Sequence, residues 1–298
     1  MIEPTKTGSS LVSAILRSVP EGTAGIWPLG QSGMVIRFAR AVVAVDLYLS
    51  NHCEAIVPRP FDHRRMTRAP LDPAELEAID IVISTHEHPD HFDVPTLRTL
   101  QSASPRSILV TPASVTPLAA QLDWPESRVV GTNGDERFEI GGVEIEAFGV
   151  PHEEYEVDPK LGHRYQGYAI RQGGISVAHV GDARADHELG ERLRQIQPTV
   201  VCLPINGRDA DRAEMGFAGN MNAEEAAELA RDSGAHLVFP MHDDMFEQNI
   251  DREARDRFTR AMQSATPHII RPRVGDGALV SAEGELLSDP NYLYRNAL

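Results

Sequence analysis

The chain has 298 residues, 41% of them hydrophobic and 24% charged, a balance that excludes a disordered polymer and allows a sizeable core. With 44 acidic against 28 basic residues the formal charge is -16, so the surface field repels polyanions and speaks against long nucleic acids as partners. A small anion can still be held in a cleft by arginine or a metal ion. Only two cysteines, Cys53 and Cys202, are present, far apart and without a Cys-x-x-Cys pattern, so no disulfide framework is implied. The apolar stretch Leu11-Val12-Ser13-Ala14-Ile15-Leu16 is too short to span a membrane and is ended by Arg17 and Pro20. The expectation is a cytoplasmic protein with reduced thiols and no membrane association.

In chain order, a short amphipathic helix is expected from about Ser9 to Arg17, closed by the Pro20-Glu21-Gly22 turn, which makes residues 1–22 an N-terminal helical extension. Three β-branched-rich runs follow as a meander: Ala24 to Trp27, Gly33 to Phe38 and Ala41 to Asp46. A further strand ending at Ile83 runs directly into Ser84-Thr85-His86-Glu87-His88-Pro89-Asp90-His91. Helical spacing over Val94 to Leu100, a strand over Ser107 to Val110 and helix over Ser114 to Leu122 come next. Gly141-Gly142 joins two strands as a hairpin that ends at Pro151-His152, and a polar, irregular stretch runs from Glu153 to Arg164. Strands over Tyr168 to Ile170 and Ile175 to Val180 follow, the second stopping at Gly181-Asp182. A helix through Leu189 and Leu193, a strand over Thr199 to Leu203, an alanine-rich helix over Ala223 to Arg231 and a strand over His236 to Met241 complete the pattern, and the last strand delivers His242. Early strands, then mixed strands and helices without a Pro/Ser-rich linker, predict one domain over residues 1–298, made of two sheets covered by helices.

Residues 86–91 carry three imidazoles and two carboxylates, donors that suit zinc and, less selectively, manganese or iron. Such a density of ligand types has little structural purpose. His152, Asp182 and His242 are each ambiguous alone: a turn histidine, a turn aspartate and a helix-start residue are the ordinary readings. All of them, however, fall just beyond strand ends, where loops on one rim of a sheet core can converge.

In this order and at these separations the residues resemble the metallo-β-lactamase superfamily, whose hallmark is His-x-His-x-Asp-His followed by His, Asp and His. The resemblance covers most of the chain and implies a four-layer αββα sandwich in the α/β (α+β) class. It implies one metal on His86, His88 and His152 and a second on Asp90, His91 and His242, with Asp182 bridging. Two divalent ions follow, Zn2+ first and Mn2+ as the alternative. The stretches Trp27 to Gly33, Val45 to Tyr48, Leu203 to Arg208 and Phe239 to Asp244, and the segment around Phe61-Asp62-His63-Arg64, look most similar to the L-ascorbate-6-phosphate lactonase family. That family carries an aspartate where this chain has Pro151-His152. The histidine restores the fuller dinuclear ligand set and loosens the tie to that lactone and to manganese.

The resemblance implies a hydrolase: two ions lower the pKa of a shared water, and the resulting hydroxide opens a small lactone or cyclic ester, one of a sugar acid or its phosphate. Asp90 and Asp182 are the catalytic candidates, Asp90 by guiding a proton to the leaving oxygen. Asp46, at a strand end, is read as orienting a ligand, with strand-end capping as the equal alternative. Asn206 and Arg208 lead the substrate candidates, followed by Arg184, His163, Arg164, Tyr155 and Lys160, because arginine grips carboxylate or phosphate with two parallel hydrogen bonds. His179 reads as a buried, hydrogen-bonded histidine outside the metal set. The alternatives are a phosphodiesterase on small or cyclic nucleotides and a metal-binding scaffold without activity. The lactonase resemblance also implies a homo-oligomer.

Overall fold

The structure, a computed structural model, describes residues 1–57, 61–122, 124–263, 266–270 and 272–288. Period-2 alternation sorts the side chains of two large sheets into inner and outer faces. Met34, Ile36, Phe38, Val43, Val45, Ile81 and Ile83 from one sheet meet Ile145, Ala147, Tyr168, Ile170, Val177, Val200 and Cys202 from the other in a buried inter-sheet core. The intervening Val35, Val42, Ala44 and Val82 face the opposite way and are covered by Leu11 and Ile15 of the helix Gly8–Ile15 and by Leu97 and Leu100 of the helix Val94–Ala103. Likewise Ala169, Ala178, Val201, Leu203 and Val238 lie under the helices His187–Ile196, Ala223–Asp232 and Ala254–Ala261. The result is helix, sheet, sheet, helix: the αββα sandwich.

The first sheet runs, in space, Leu286–Ser288, Ala278–Ser281, Thr23–Gly30, Gly33–Phe38, Val42–Val45, Ile81–Ile83, Ile108–Pro112 and Val129–Thr132. The second runs His268–Ile269, Leu237–Met241, Val200–Pro204, Ile175–His179, Gln166–Gln172, Val143–Gly149 and Asp135–Ile140. Pairing from Val42–Val45 to Val129–Thr132 is parallel, as is pairing from Ile175–His179 to His268–Ile269. Parallel neighbours place their carboxyl ends on the same rim, which is where open α/β sheets carry their sites. Val45 pairs with Ile83, so Asp46 and Ser84 leave the first sheet side by side. His179 pairs with Cys202 and Pro204 with Met241, so the turns to Asp182, Asn206 and His242 leave the second sheet together. Gly149 ends a strand two antiparallel steps from Ile175–His179, which brings His152 to that same rim.

Several boundaries depart from the sequence pattern. The helix expected over Ser114 to Leu122 is one turn, Thr116–Ala119, tightening into a 3-10 turn, Ala120–Leu122. The stretch 153–164, expected to be irregular, contains a small hairpin of Val157–Asp158 with Gly162–His163. The strands Val129–Thr132 and Ala278–Ser281 were not anticipated; the second pairs with Thr23–Gly30, some 250 residues away in sequence, so no local signal marks it. The helix Ala254–Ala261, also unanticipated, has Phe258 as its one large buried apolar residue and owes its position to packing against Ala223–Asp232.

Ile36 is wholly buried between the sheets. Ile36→Ala is expected to lower the unfolding free energy by about 2–5 kcal/mol, read from the midpoint of chemical denaturation, because the facing strands cannot collapse onto the missing methylenes.

Candidate metal centre

Seven of the predicted residues meet at the shared rim in two adjoining groups. His86, His88, His152 and Asp182 offer one set of ligand atoms within 4.8 Å of one another, and Asp90, His91 and His242 offer a second. Asp182 joins the two, with its Oδ1 3.2 Å from both His91 Nε2 and His242 Nε2. Asp90 Oδ2 lies 3.6 Å from the same two nitrogens.

The chain holds these rings from behind. Asp46 Oδ2 accepts a hydrogen bond from His91 Nδ1 at 2.7 Å and another from Thr85 Oγ1 at 2.7 Å, while its Oδ1 accepts from the Thr85 backbone N–H at 2.8 Å. With Nδ1 of His91 donating to Asp46, Nε2 is left as a lone-pair donor facing Asp182. Thr85 Oγ1, spending its proton on Asp46, accepts from His86 Nδ1 at 3.0 Å and turns His86 Nε2 into the site. His86 Nε2 and His88 Nδ1 then face each other at 2.9 Å. Tyr165 stacks on His152, with centroids 4.5 Å apart and planes at 18°, and fixes that ring. Gly181, at φ +62, supplies the turn into Asp182, and a Cβ there would lie 2.8 Å from Thr85 Oγ1, so only glycine fits.

Buried atoms at the centre test whether these residues suit a cation. His91 Nε2 and Asp182 Oδ1 are buried and make no hydrogen bond within the protein, although they point at each other. Burial opposes charge on His91, yet Asp182, Asp46 and Asp90 together hold its pKa well above the ordinary imidazole value. His242 is likewise buried, and Asp182 and Asp90 push it up to about 10. Burial would raise the Asp182 pKa, but His242 and His91 pull it well below the usual carboxylate range. In the other group, burial dominates and depresses His86, and it takes His152 down to about 4. One half of the pocket draws positive charge and the other presents neutral imidazoles, and imidazole with carboxylate is a donor set that fits a divalent metal.

Residues 56–242 match the beta-lactamase superfamily domain. The chain belongs to the metallo-β-lactamase superfamily. It is 28% identical over 220 residues to a UPF0173 metal-dependent hydrolase from Myxococcus xanthus, spanning 72% of this chain and 68% of that one. It is also 28% identical over 252 residues to a UPF0173 metal-dependent hydrolase from Caldivirga maquilingensis, spanning 81% and 90%. In fold it is similar to a metallo hydrolase from the hyperthermophilic archaeon Ignicoccus hospitalis, with a TM-score of 0.64 at 17% identity over 87% of this chain and 99% of that one. The protein is thus a metal-dependent hydrolase of the metallo-β-lactamase superfamily.

Around this superfamily centre, the other predicted residues are placed differently. Arg208 forms a fork-to-fork pair with Glu225, both contacts 2.6 Å, and reaches the Asn220 carbonyl. Asn206 is buried and ties its side chain to Asn249 and Asn220. Arg184 bonds Glu153 and the Gly219 carbonyl, and Arg164 pairs with Glu87 and Glu156. Tyr155 and His163 face each other across a separate cleft with Glu188 and Arg192, which none of the seven ligand candidates lines. Lys160 is exposed on the turn of the small hairpin. His179 is buried, donating from Nε2 to the Ser32 carbonyl and accepting the Gly181 N–H at Nδ1. No helix among the described residues is long and apolar enough to cross a membrane.

Four further residues belong to this environment: Thr85, Gln31 and His63, which lie in the motif stretches of the sequence but carry no role there, and Tyr165, which no sequence signal marks. Thr85 links Asp46 to His86, Tyr165 stacks on His152, and Gln31 touches Asp90 and His242. His63, half-buried among Phe61, Phe217 and Phe246, lies within the field of Asp90. A signal for Gln31 existed, since a Gly-Gln-Ser-Gly turn puts a bulky residue where hairpins favour glycine.

Asp46→Ala releases His91 Nδ1 and is expected to weaken metal retention roughly 10–100-fold. Elemental analysis after dialysis checks this, and Asp46→Asn should fall between the variant and the parent.

Proposed function

We propose that the centre holds two divalent cations and that the protein hydrolyses a small neutral cyclic ester, a lactone. One observation carries the dinuclear reading: a single carboxylate oxygen of Asp182 sits equidistant from two imidazole nitrogens of one ligand group while belonging to the other. His86, His88 and His152 would hold one ion, Asp90, His91 and His242 the second, and Asp182 both. The three-imidazole group suits zinc. When bound, such a pair supplies Lewis acidity and a water that ionises near neutral pH.

The chain's own residues set the rest. Asp90, partly exposed at the mouth, is the group placed to carry a proton to the leaving alkoxide. Arg164, Arg184 and Arg208 are each engaged by a carboxylate, so none of these three guanidiniums stands ready to grip a phosphate. That favours a neutral ring over a sugar phosphate, and the aromatic group of Phe61, His63, Phe217 and Phe246 offers an apolar wall for it.

A panel of lactones run beside bis(4-nitrophenyl)phosphate tests the substrate class. Turnover of lactones is expected, and exclusive phosphodiester turnover would replace this reading with a phosphodiesterase. Asp182→Asn should retain the folded far-UV spectrum, lose bound metal and abolish hydrolysis, and undiminished activity would refute the shared-ligand role. Chelation of the parent should lower its melting temperature, and adding metal back should restore it, because a ligand bound only by the native state adds to its stability.

A further inference from the structure

Gln31 lies at the tip of a two-residue hairpin that joins Thr23–Gly30 to Gly33–Phe38, Gly30 and Gly33 being the last pair. Its φ is +58, at a position of a tight hairpin where glycine is the unstrained choice. The strain is held in place by the loop that carries His242. The Gln31 N–H donates to Asp244 Oδ1 at 2.8 Å, and its carbonyl accepts the His242 N–H at 3.1 Å. The neighbouring Ser32 carbonyl is in turn held by His179 Nε2. Three of the four non-glycine residues with positive φ among the described residues are Gln31, Asp46 and His242, the fourth being Gln197, so this rare backbone state is concentrated around the centre.

Gln31 is 5% exposed, and its carboxamide points into the second ligand group, with Nε2 2.7 Å from Asp90 Oδ2 and 3.0 Å from His242 Nε2. The other end, Oε1, is buried with no partner. These separations are those of neighbours in one coordination shell, since ligands on an octahedral ion at about 2.1 Å lie about 3 Å apart. A carboxamide is isosteric end for end, so a half-turn of its last torsion exchanges nitrogen and oxygen without moving another group. Between a bare carboxylate and an imidazole the N–H end is the one that fits. With a divalent cation shared among them the preference reverses, because only the oxygen can donate to it.

We propose that Gln31 is a further ligand of the Asp90, His91 and His242 group, giving Oε1 to the cation held there. This rests on the dinuclear reading above. The group then offers two imidazoles, two carboxylates and an amide oxygen, a harder and larger set than the imidazole triad beside it. Its added oxygen ligands suit a higher coordination number than the four of the usual zinc site, which manganese(II) or iron(II) can take.

The test titrates the full metal-free chain with Mn2+, following free ion by electron paramagnetic resonance, for the parent, Gln31→Leu and Gln31→Gly. The parent is expected to bind two equivalents. Both variants should bind one as the parent does and lose at least roughly tenfold in affinity for the other, at or above the effect of removing a residue that merely orients a ligand. Gln31→Gly relieves the positive φ, so the metal-free variant should melt no lower than the parent. Parent-like affinity for both equivalents in the variants would overturn the ligand role while leaving the two-ion reading intact. A metal-free Gln31→Gly that melts well below the parent would show a structural role instead. A parent that takes up a single equivalent would overturn the dinuclear reading and this inference together.

Discussion

Three carboxylates, Asp46, Asp90 and Asp182, and five imidazoles are packed into one end of the sandwich, most of them fully buried. Burying that much ionisable chemistry is unfavourable unless positive charge is shared among the acids and every lone pair finds a partner. In the protein alone the balance is met only in part. The aspartates drive His91 and His242 towards the charged form, and while His91 is neutral with its proton on Nδ1, its Nε2 and Asp182 Oδ1 face each other as two lone pairs without a hydrogen bond. A cation resolves both problems at once. The surrounding structure makes sense as scaffolding for that arrangement: the Asp46–Thr85 pair, the Tyr165 stack, the Gly181 turn and the strained hairpin at Gln31.

The same constraint explains why the centre sits where it does. Parallel pairing in both sheets delivers Asp46, residues 84–91, Asp182 and His242 from adjacent carboxyl ends, and the rigid core beneath keeps their loops in register. The Asp46 carboxylate is worth particular notice because it crosses from one strand end to the next. By bonding the Thr85 backbone, the Thr85 hydroxyl and His91, it couples the geometry of two ligands to the sheet itself. Chemistry that needs fixed ligands on a rigid rim is well served by such second contacts.

Away from the metal groups the surroundings are less charged than the sequence led one to expect. Arginine in a polar segment reads as an anion grip, but whether it is free depends on which carboxylate lies opposite. Glu225, the third residue of the helix Ala223–Asp232, is 17 residues from Arg208 in sequence and takes its whole fork. Glu153 does the same for Arg184, and Glu87 and Glu156 for Arg164. The aromatic group around His63 had no such signal, since its members come from residues 61, 63, 217 and 246.

The candidate ligand set was legible in the sequence because coordination chemistry restricts residue type, and His86, His88, Asp90 and His91 lie within one turn. The strand-ending positions of His152, Asp182 and His242 extended the pattern, and the β-branched-rich runs Ala24 to Trp27, Gly33 to Phe38 and Ala41 to Asp46 marked the first strands, though which of their side chains face inward was set by the sheet pairing. Tertiary structure alone decided the rest. It put Ala278–Ser281 beside Thr23–Gly30, turned Tyr165 onto His152, brought Gln31 to Asp90 and His242, and closed the arginines onto their acids. Those are contacts between residues remote in sequence, selected by packing and charge rather than by local periodicity, so no stretch of the chain read by itself carries them.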